Sequence, residues 1–127
     1  MGEILLIAAG WRLRALVRAQ LLEEGFEVRA LPALEGALAH LSRGGERPAL
    51  ILLDTQGVAF DALALSDLRR LSGQAPLILC AGAWSPVEAW QEGWAAARVL
   101  RRPFRVGDLV EEVRRNGGCL NGHVAPE

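Results

Sequence analysis

A chain of 127 residues has room for one ordinary domain, and a hydrophobic fraction of 51% with positive mean hydropathy is enough to bury a real core. A formal net charge of -1 gives no general field for nucleic acid or an anionic membrane surface. No apolar run approaches the roughly 20 residues that span a bilayer, so neither a nucleic-acid nor a membrane partner is expected.

The order of apolar runs predicts alternating strands and helices. Ile4-Leu5-Leu6-Ile7 reads as a buried strand. Trp11 to Glu24 follows as a helix with Leu13, Leu16, Val17 and Leu21 on one stripe, closed by Gly25. Glu27 to Leu31 alternates polar and apolar residues in the manner of an edge strand, and Ala33 to Arg43 carries Leu34, Ala37, Leu38 and Leu41 at helical spacing before Gly44-Gly45. Leu50-Ile51-Leu52-Leu53 is a fully apolar strand that ends at Asp54. Asp61 to Leu71 is a helix with Leu65 and Leu68 inward, and Leu77-Ile78-Leu79-Cys80 is the next strand. Ser85-Pro86-Val87-Glu88 carries the signals of a helix start, with Ser at the cap, Pro at the first turn and Glu completing a capping box; that helix is expected to reach about Trp94. Arg98-Val99-Leu100 is a last strand, and Val106, Leu109, Val110 and Val113 mark a final helix.

Five strands alternating with five helices predict an α/β fold: a doubly wound parallel sheet covered on both faces. Residues 1–116 form the expected domain, and 117–127, rich in Gly and Asn, read as a flexible tail. The start of the chain has no secretory signal, and Cys80 and Cys119 sit in such different settings that free thiols in a cytoplasmic protein are expected.

Ligands of such sheets bind beyond the carboxyl ends of the strands, where strand order reverses. The residues there are Ala8, Ala9 and Gly10, then Asp54, Thr55 and Gln56, then Ala81 and Gly82, and last Arg101, Arg102 and Pro103. Asp54 is the one carboxylate of this set, with Arg102 as the cation to face it. All 14 basic residues are Arg, so no ammonium group is on hand for any role.

Leu22-Glu23-Glu24-Gly25-Phe26-Glu27-Val28, Leu50-Ile51-Leu52-Leu53-Asp54, Pro76-Leu77-Ile78-Leu79 and Arg102-Pro103-Phe104 follow one another at set spacing. Together, in this order over about residues 3–115, they resemble the receiver domains of response regulators. The resemblance implies a flavodoxin-like sheet in the order 2-1-3-4-5 and a role in two-component signal transduction. In that family an acidic pair and the third-strand aspartate hold Mg²⁺, the aspartate takes the phosphoryl group, and a hydroxyl and a Lys bind its oxygens. Carried over position by position, the aspartate is Asp54, the acidic pair falls on Ala8 and Ala9, the hydroxyl on Ala81 and the Lys on Arg102. The pocket is therefore expected to be vestigial. Mg²⁺ demands octahedral oxygen coordination that one carboxylate does not supply, and phosphoryl transfer depends on positioning and charge neutralisation. Asp54 either pairs directly with Arg102 or is a solvated strand-end carboxylate.

Trp84, Trp90 and Trp94 fall in one short stretch. Core packing accounts for some of them, yet Trp is seldom fully buried, and an exposed set would anchor a partner. Trp11 either caps the vacated acidic site or lies on the surface. His40 and His123 lack ligand clusters, the Arg98 to Arg105 group reads as a solvated or acid-paired surface, and Cys80 as a small buried hydrophobe. The expectation is a stand-alone, non-enzymatic receiver-like module without cofactor or metal. It would act through an unidentified protein partner, with homodimerisation through the tryptophan-bearing face as a further expectation. Two alternatives are a regulator phosphorylated on Asp54 and a regulatory domain that binds a small molecule where Ala8, Ala9 and Ala81 leave space beside Trp11.

Overall fold

The computed structural model describes residues 2–44 and 46–116. The expected tail at 117–127, with Cys119 and His123, lies outside the described residues. Five strands form one parallel sheet: β1 (Ile4–Ile7), β2 (Val28–Leu31), β3 (Leu50–Asp54), β4 (Leu77–Ala81) and β5 (Arg98–Arg101), in the order β2-β1-β3-β4-β5. The connections are α1 (Trp11–Glu23), α2 (Leu34–Ser42), α3 (Ala62–Ser72) and a 3₁₀ turn over Glu88–Gln91, and α4 (Val106–Asn116) follows β5.

The inner strands are apolar throughout because helices cover both their faces. On one face Leu5, Ile7, Ile51, Leu53, Leu77 and Leu79 pack against Leu34, Ala37 and Leu41 of α2, Leu65 and Leu68 of α3, and Val87. On the other, Ile4, Leu6, Leu50, Leu52, Ile78 and Leu100 pack against Val17 and Leu21 of α1 and Leu109, Val110 and Val113 of α4. The two-residue alternation of each strand thus divides its side chains between two cores.

Local signals account for most element ends. Gly25 takes φ 95° just past the end of α1, where a left-handed residue lets the chain turn back into β2. Asp61 caps α3 by accepting the Leu63 and Ala64 amides at 3.1 Å each. Arg105 N–H donates to the Asp108 carboxylate (2.9 Å) at the start of α4, the returning half of a capping box.

Two expectations need correction. The fifth helix, placed from Ser85 to Trp94, is only a four-residue 3₁₀ turn that starts after Val87, so there are four α-helices among the described residues. The Ser85 cap forms no side-chain bond; the Ser85 amide instead closes a turn onto Gly82 O (3.4 Å), and Arg101 Nη1 ties Gly82 O (3.1 Å) and Ser85 O (2.7 Å) to the end of β5. Carbonyls held in this way are not free to open a helix. Leu16, placed on the inner stripe of α1, is exposed, since the buried arc of that helix is narrow and centred on Val17 and Leu21.

Candidate functional site

Strand order reverses between β1 and β3, so their carboxyl ends open the crevice in which a ligand of this architecture would sit. Asp54 is the last residue of β3. Its side chain is 5% exposed, between the ends of β1 and β4. Arg102, just past β5, reaches across β4 to meet it. Nη1 donates to Oδ1 at 3.0 Å and Nη2 to Oδ2 at 2.7 Å, a two-pronged charge-assisted contact. The Gln56 amide donates to Oδ1 as well (3.2 Å). Both carboxylate oxygens are therefore engaged by the protein itself.

The guanidinium is held from behind by the Phe104 ring, 5.1 Å from the ring centre, and its side chain keeps 29% of its exposure. The Arg102–Pro103 peptide is cis. Proline at 103 begins the turn that separates Arg102 from Phe104, so β5, the turn and the aromatic ring together fix where the cation lies. Cys80, opposite Asp54 across the β3–β4 ladder, has its thiol pKa pushed up to about 12, first by burial and then by the neighbouring Asp54 charge, with Arg102 opposing. It is an inert packing group at neutral pH.

The remaining strand ends carry no acid. Ala8 and Ala81 are fully buried and Ala9 partly so. The loop after β3 comes close to Ala9. Gly57 has φ 81°, and a β-carbon there would lie 3.1 Å from the Ala9 β-carbon. Arg14 of α1 donates from Nη1 to the carbonyls of Ala8 (2.7 Å) and Ala9 (3.2 Å). Loop and guanidinium thus close in on the space that the small residues leave. Trp11, the wall expected for an apolar pocket there, is exposed, with the Arg12 guanidinium against its ring at 5.4 Å. The fold family's Mg²⁺ does not fit this donor set: one carboxylate, already doubly paired, stands beside alanines and a cationic side chain. Among the described residues no three His, Cys, Asp or Glu side chains converge.

The three clustered tryptophans separate in space. Trp90 and Trp94 are partly buried against the α2–α3 core, and Trp90 meets the Phe60 ring edge-on at 5.2 Å between centres. Trp84 is 95% exposed on the turn that Arg101 ties to β5. Phe60, beside Trp90, is exposed just before α3, and Leu63 is exposed in its first turn. Three of the four clustered basic residues, Arg98, Arg101 and Arg102, have side chains engaged within the chain. Arg98 pairs with the buried Glu112 (3.2 Å), Arg101 binds the turn carbonyls and Arg102 holds Asp54. His40 contacts Glu3 at 2.9 Å. Sequence reasoning missed the Arg101 tie and the buried Glu112, since neither a strand-end arginine nor a helical glutamate marks its long-range partner.

No family model matches the chain, and no curated protein matches it. Solved structures resemble it in fold. One is a CheY-like response regulator receiver domain protein from Methanospirillum hungatei JF-1, with TM-score 0.75 and 19% identity over 91% of this chain and 92% of that one. A second is the N-terminal domain of a response regulator/sensory box/GGDEF 3-domain protein from Carboxydothermus hydrogenoformans, with TM-score 0.76 and 19% identity over 94% and 97%. The Vibrio cholerae chemotaxis protein CheY4 gives TM-score 0.73 and 19% identity over 91% and 98%. At these identities the likeness is one of fold: the flavodoxin-like architecture of receiver domains.

Proposed function

We propose that this chain is an atypical receiver-like signalling module. It acts by contact with a protein partner, carries out no catalysis, and is not switched by Mg²⁺-dependent phosphorylation of Asp54. The observation that carries the reading is the two-pronged Asp54–Arg102 pair. A carboxylate acts as a phosphoryl acceptor only with a lone pair directed at phosphorus and the charge between them neutralised. Here the lone pairs are directed into a guanidinium fork, and Ala8 and Ala9 supply no side-chain oxygen for a metal. Arg102 supplies in permanent form the positive charge that a metal would bring on demand, which favours one fixed conformation over a two-state switch.

The partner surface in this reading centres on Trp84. A fully presented indole on a tied turn loses little conformational freedom on binding and offers large apolar area, the properties of an interface anchor.

Incubation with acetyl phosphate and Mg²⁺, read by intact mass, tests the absence of phosphorylation: an unchanged mass is expected, and a stoichiometric phosphoryl adduct lost on Asp54→Asn refutes it. A capture experiment from native extract, repeated with Trp84→Ala, tests the contact surface; retention of the same partners by the variant refutes the role of Trp84.

A further inference from the structure

We infer that the cavity between the ends of β3 and β4 and the 3₁₀ turn binds a small planar monocarboxylate, its carboxylate on the outward edge of Arg102 and on the Ser85 hydroxyl, its flat body against Trp90. The cavity has a volume of about 430 Å³, and Gln56, Ser85, Trp90 and Arg102 are among its lining residues. This inference does not depend on whether the module binds a protein.

The donor inventory selects the charge. A guanidinium carries five N–H groups. Asp54 takes two from Arg102, and the others have no partner among the described residues. The Ser85 hydroxyl and the Gln56 side-chain amide are likewise without a partner among the described residues, whereas the Thr55 hydroxyl is spent on Cys80 O (3.1 Å). Ser85 Oγ is kept close over the strand end by glycine at 82, where a β-carbon would stand 2.7 Å from it. No carboxylate lines the cavity. Asp54 lies behind Arg102, the one cation of the lining, and the Arg101 guanidinium, outside the lining but bound to the Gly82 and Ser85 carbonyls, adds a positive charge nearby.

A single negative charge matches that wall. A dianion such as phosphate does not: either ligand shares Arg102 with Asp54, but a dianion meets twice the repulsion from that carboxylate and finds no second cation in the lining to offset it. A wholly apolar ligand would leave the free donors desolvated and unpaired, which disfavours it. The indole of Trp90, held edge-on by Phe60, supplies the flat apolar wall.

The test is a titration of the whole chain with benzoate, followed by amide and indole chemical shifts in heteronuclear NMR. Benzamide, acetate and inorganic phosphate are run in parallel. Benzoate is expected to saturate shifts at Ser85 and Trp90 with a dissociation constant on the order of 1–10 mM, the range open to a ligand of this size. Benzamide lacks the charge and acetate the ring, so each is expected to bind at least ~10-fold more weakly, and Ser85→Ala is expected to weaken benzoate roughly 3- to 10-fold through one lost hydrogen bond from a solvent-exposed hydroxyl. Phosphate is expected not to displace benzoate. The inference is overturned if benzoate fails to saturate in that range, if benzamide binds as well, if phosphate competes, or if Ser85→Ala leaves the affinity unchanged. Trp90→Leu is expected to abolish the preference for benzoate over acetate; should it not fold, Ser85→Ala and the benzamide comparison decide alone.

Discussion

Replacing Arg102 by Met separates a structural ion pair from an incidental one. Met keeps the apolar stem over Phe104 and removes the charge. Asp54 would then remain 5% exposed with one protein donor, the Gln56 amide at 3.2 Å. Removing one partner of a buried pair costs ~3–5 kcal/mol, because the other charge is left uncompensated. The 29% exposure of Arg102 lets water into part of the vacated space, which lowers the expected loss to about 2–3 kcal/mol. For a domain of this size that is a fall in Tm of roughly 10 °C. The effect is asymmetric. Asp54→Leu leaves a guanidinium that rotates into solvent, and costs less, about 1 kcal/mol. The double variant, Arg102→Met with Asp54→Leu, buries neither charge and is expected within about 1 kcal/mol of the wild type. Denaturant melts of the four proteins give the coupling directly. A loss below ~0.5 kcal/mol for Arg102→Met, or additive single effects, would show that the pair does not hold the site.

Other consequences are independent of that cycle. The Cys80 thiol, with its pKa raised to about 12, stays protonated in the folded chain at pH 8, so a thiol-specific reagent is expected to label it only on unfolding. Because the folded value lies above the unfolded one, near 9, its contribution is fully present below pH 9 and is lost between about pH 9 and 12, with a slope of up to ~1.4 kcal/mol per pH unit; a flat stability profile over that window would contradict the assignment. Trp84→Ala is expected to leave Tm unchanged within error, as exposed substitutions change stability by about 0.5 kcal/mol or less. Trp90→Ala is expected to cost roughly 2–3 kcal/mol through lost core contact and the Phe60 pair. Glu112→Ala removes a buried acid, but its partners Arg98 and Arg115 are more than half exposed and hydrate freely, so a loss of about 1 kcal/mol in a thermal melt is expected.

The sheet was legible because its signal is dense. Three inner strands are apolar at every position before their ends, and Gly25 and Asp61 mark helix ends by well-defined backbone and capping chemistry. The connection from β4 to β5 was not. Ser85-Pro86-Val87-Glu88 carries a helix start in its local pattern, but capping energies of ~1 kcal/mol give way when Arg101, sixteen residues on, takes the Gly82 and Ser85 carbonyls. Along the same connection the tryptophans divide, with Trp90 and Trp94 packed against the core and Trp84 left exposed. Asp54 and Arg102 were identifiable as strand-end residues, and a direct pair was one of two readings open to them; the sequence did not choose between pair and solvated carboxylate, because a spacing of 48 positions carries no signature and the 2-1-3-4-5 order is what brings the two together. A pocket beside Ala8, Ala9 and Ala81 was one alternative the sequence left open; it carries no sign of Arg14, which donates to the Ala8 and Ala9 carbonyls from the neighbouring helix.

Whether the Asp54 site is closed is decided by a titration with beryllofluoride, which mimics the phosphoryl group, in the presence and absence of Mg²⁺, following the resonances of Asp54, Ala81 and Arg102. A site closed by its own arginine predicts no saturable change with or without the metal. Saturation that requires Mg²⁺, with shifts centred on Asp54 and loss of the Arg102 contact, would show the site open to phosphoryl chemistry and overturn the reading of a fixed, unswitched module.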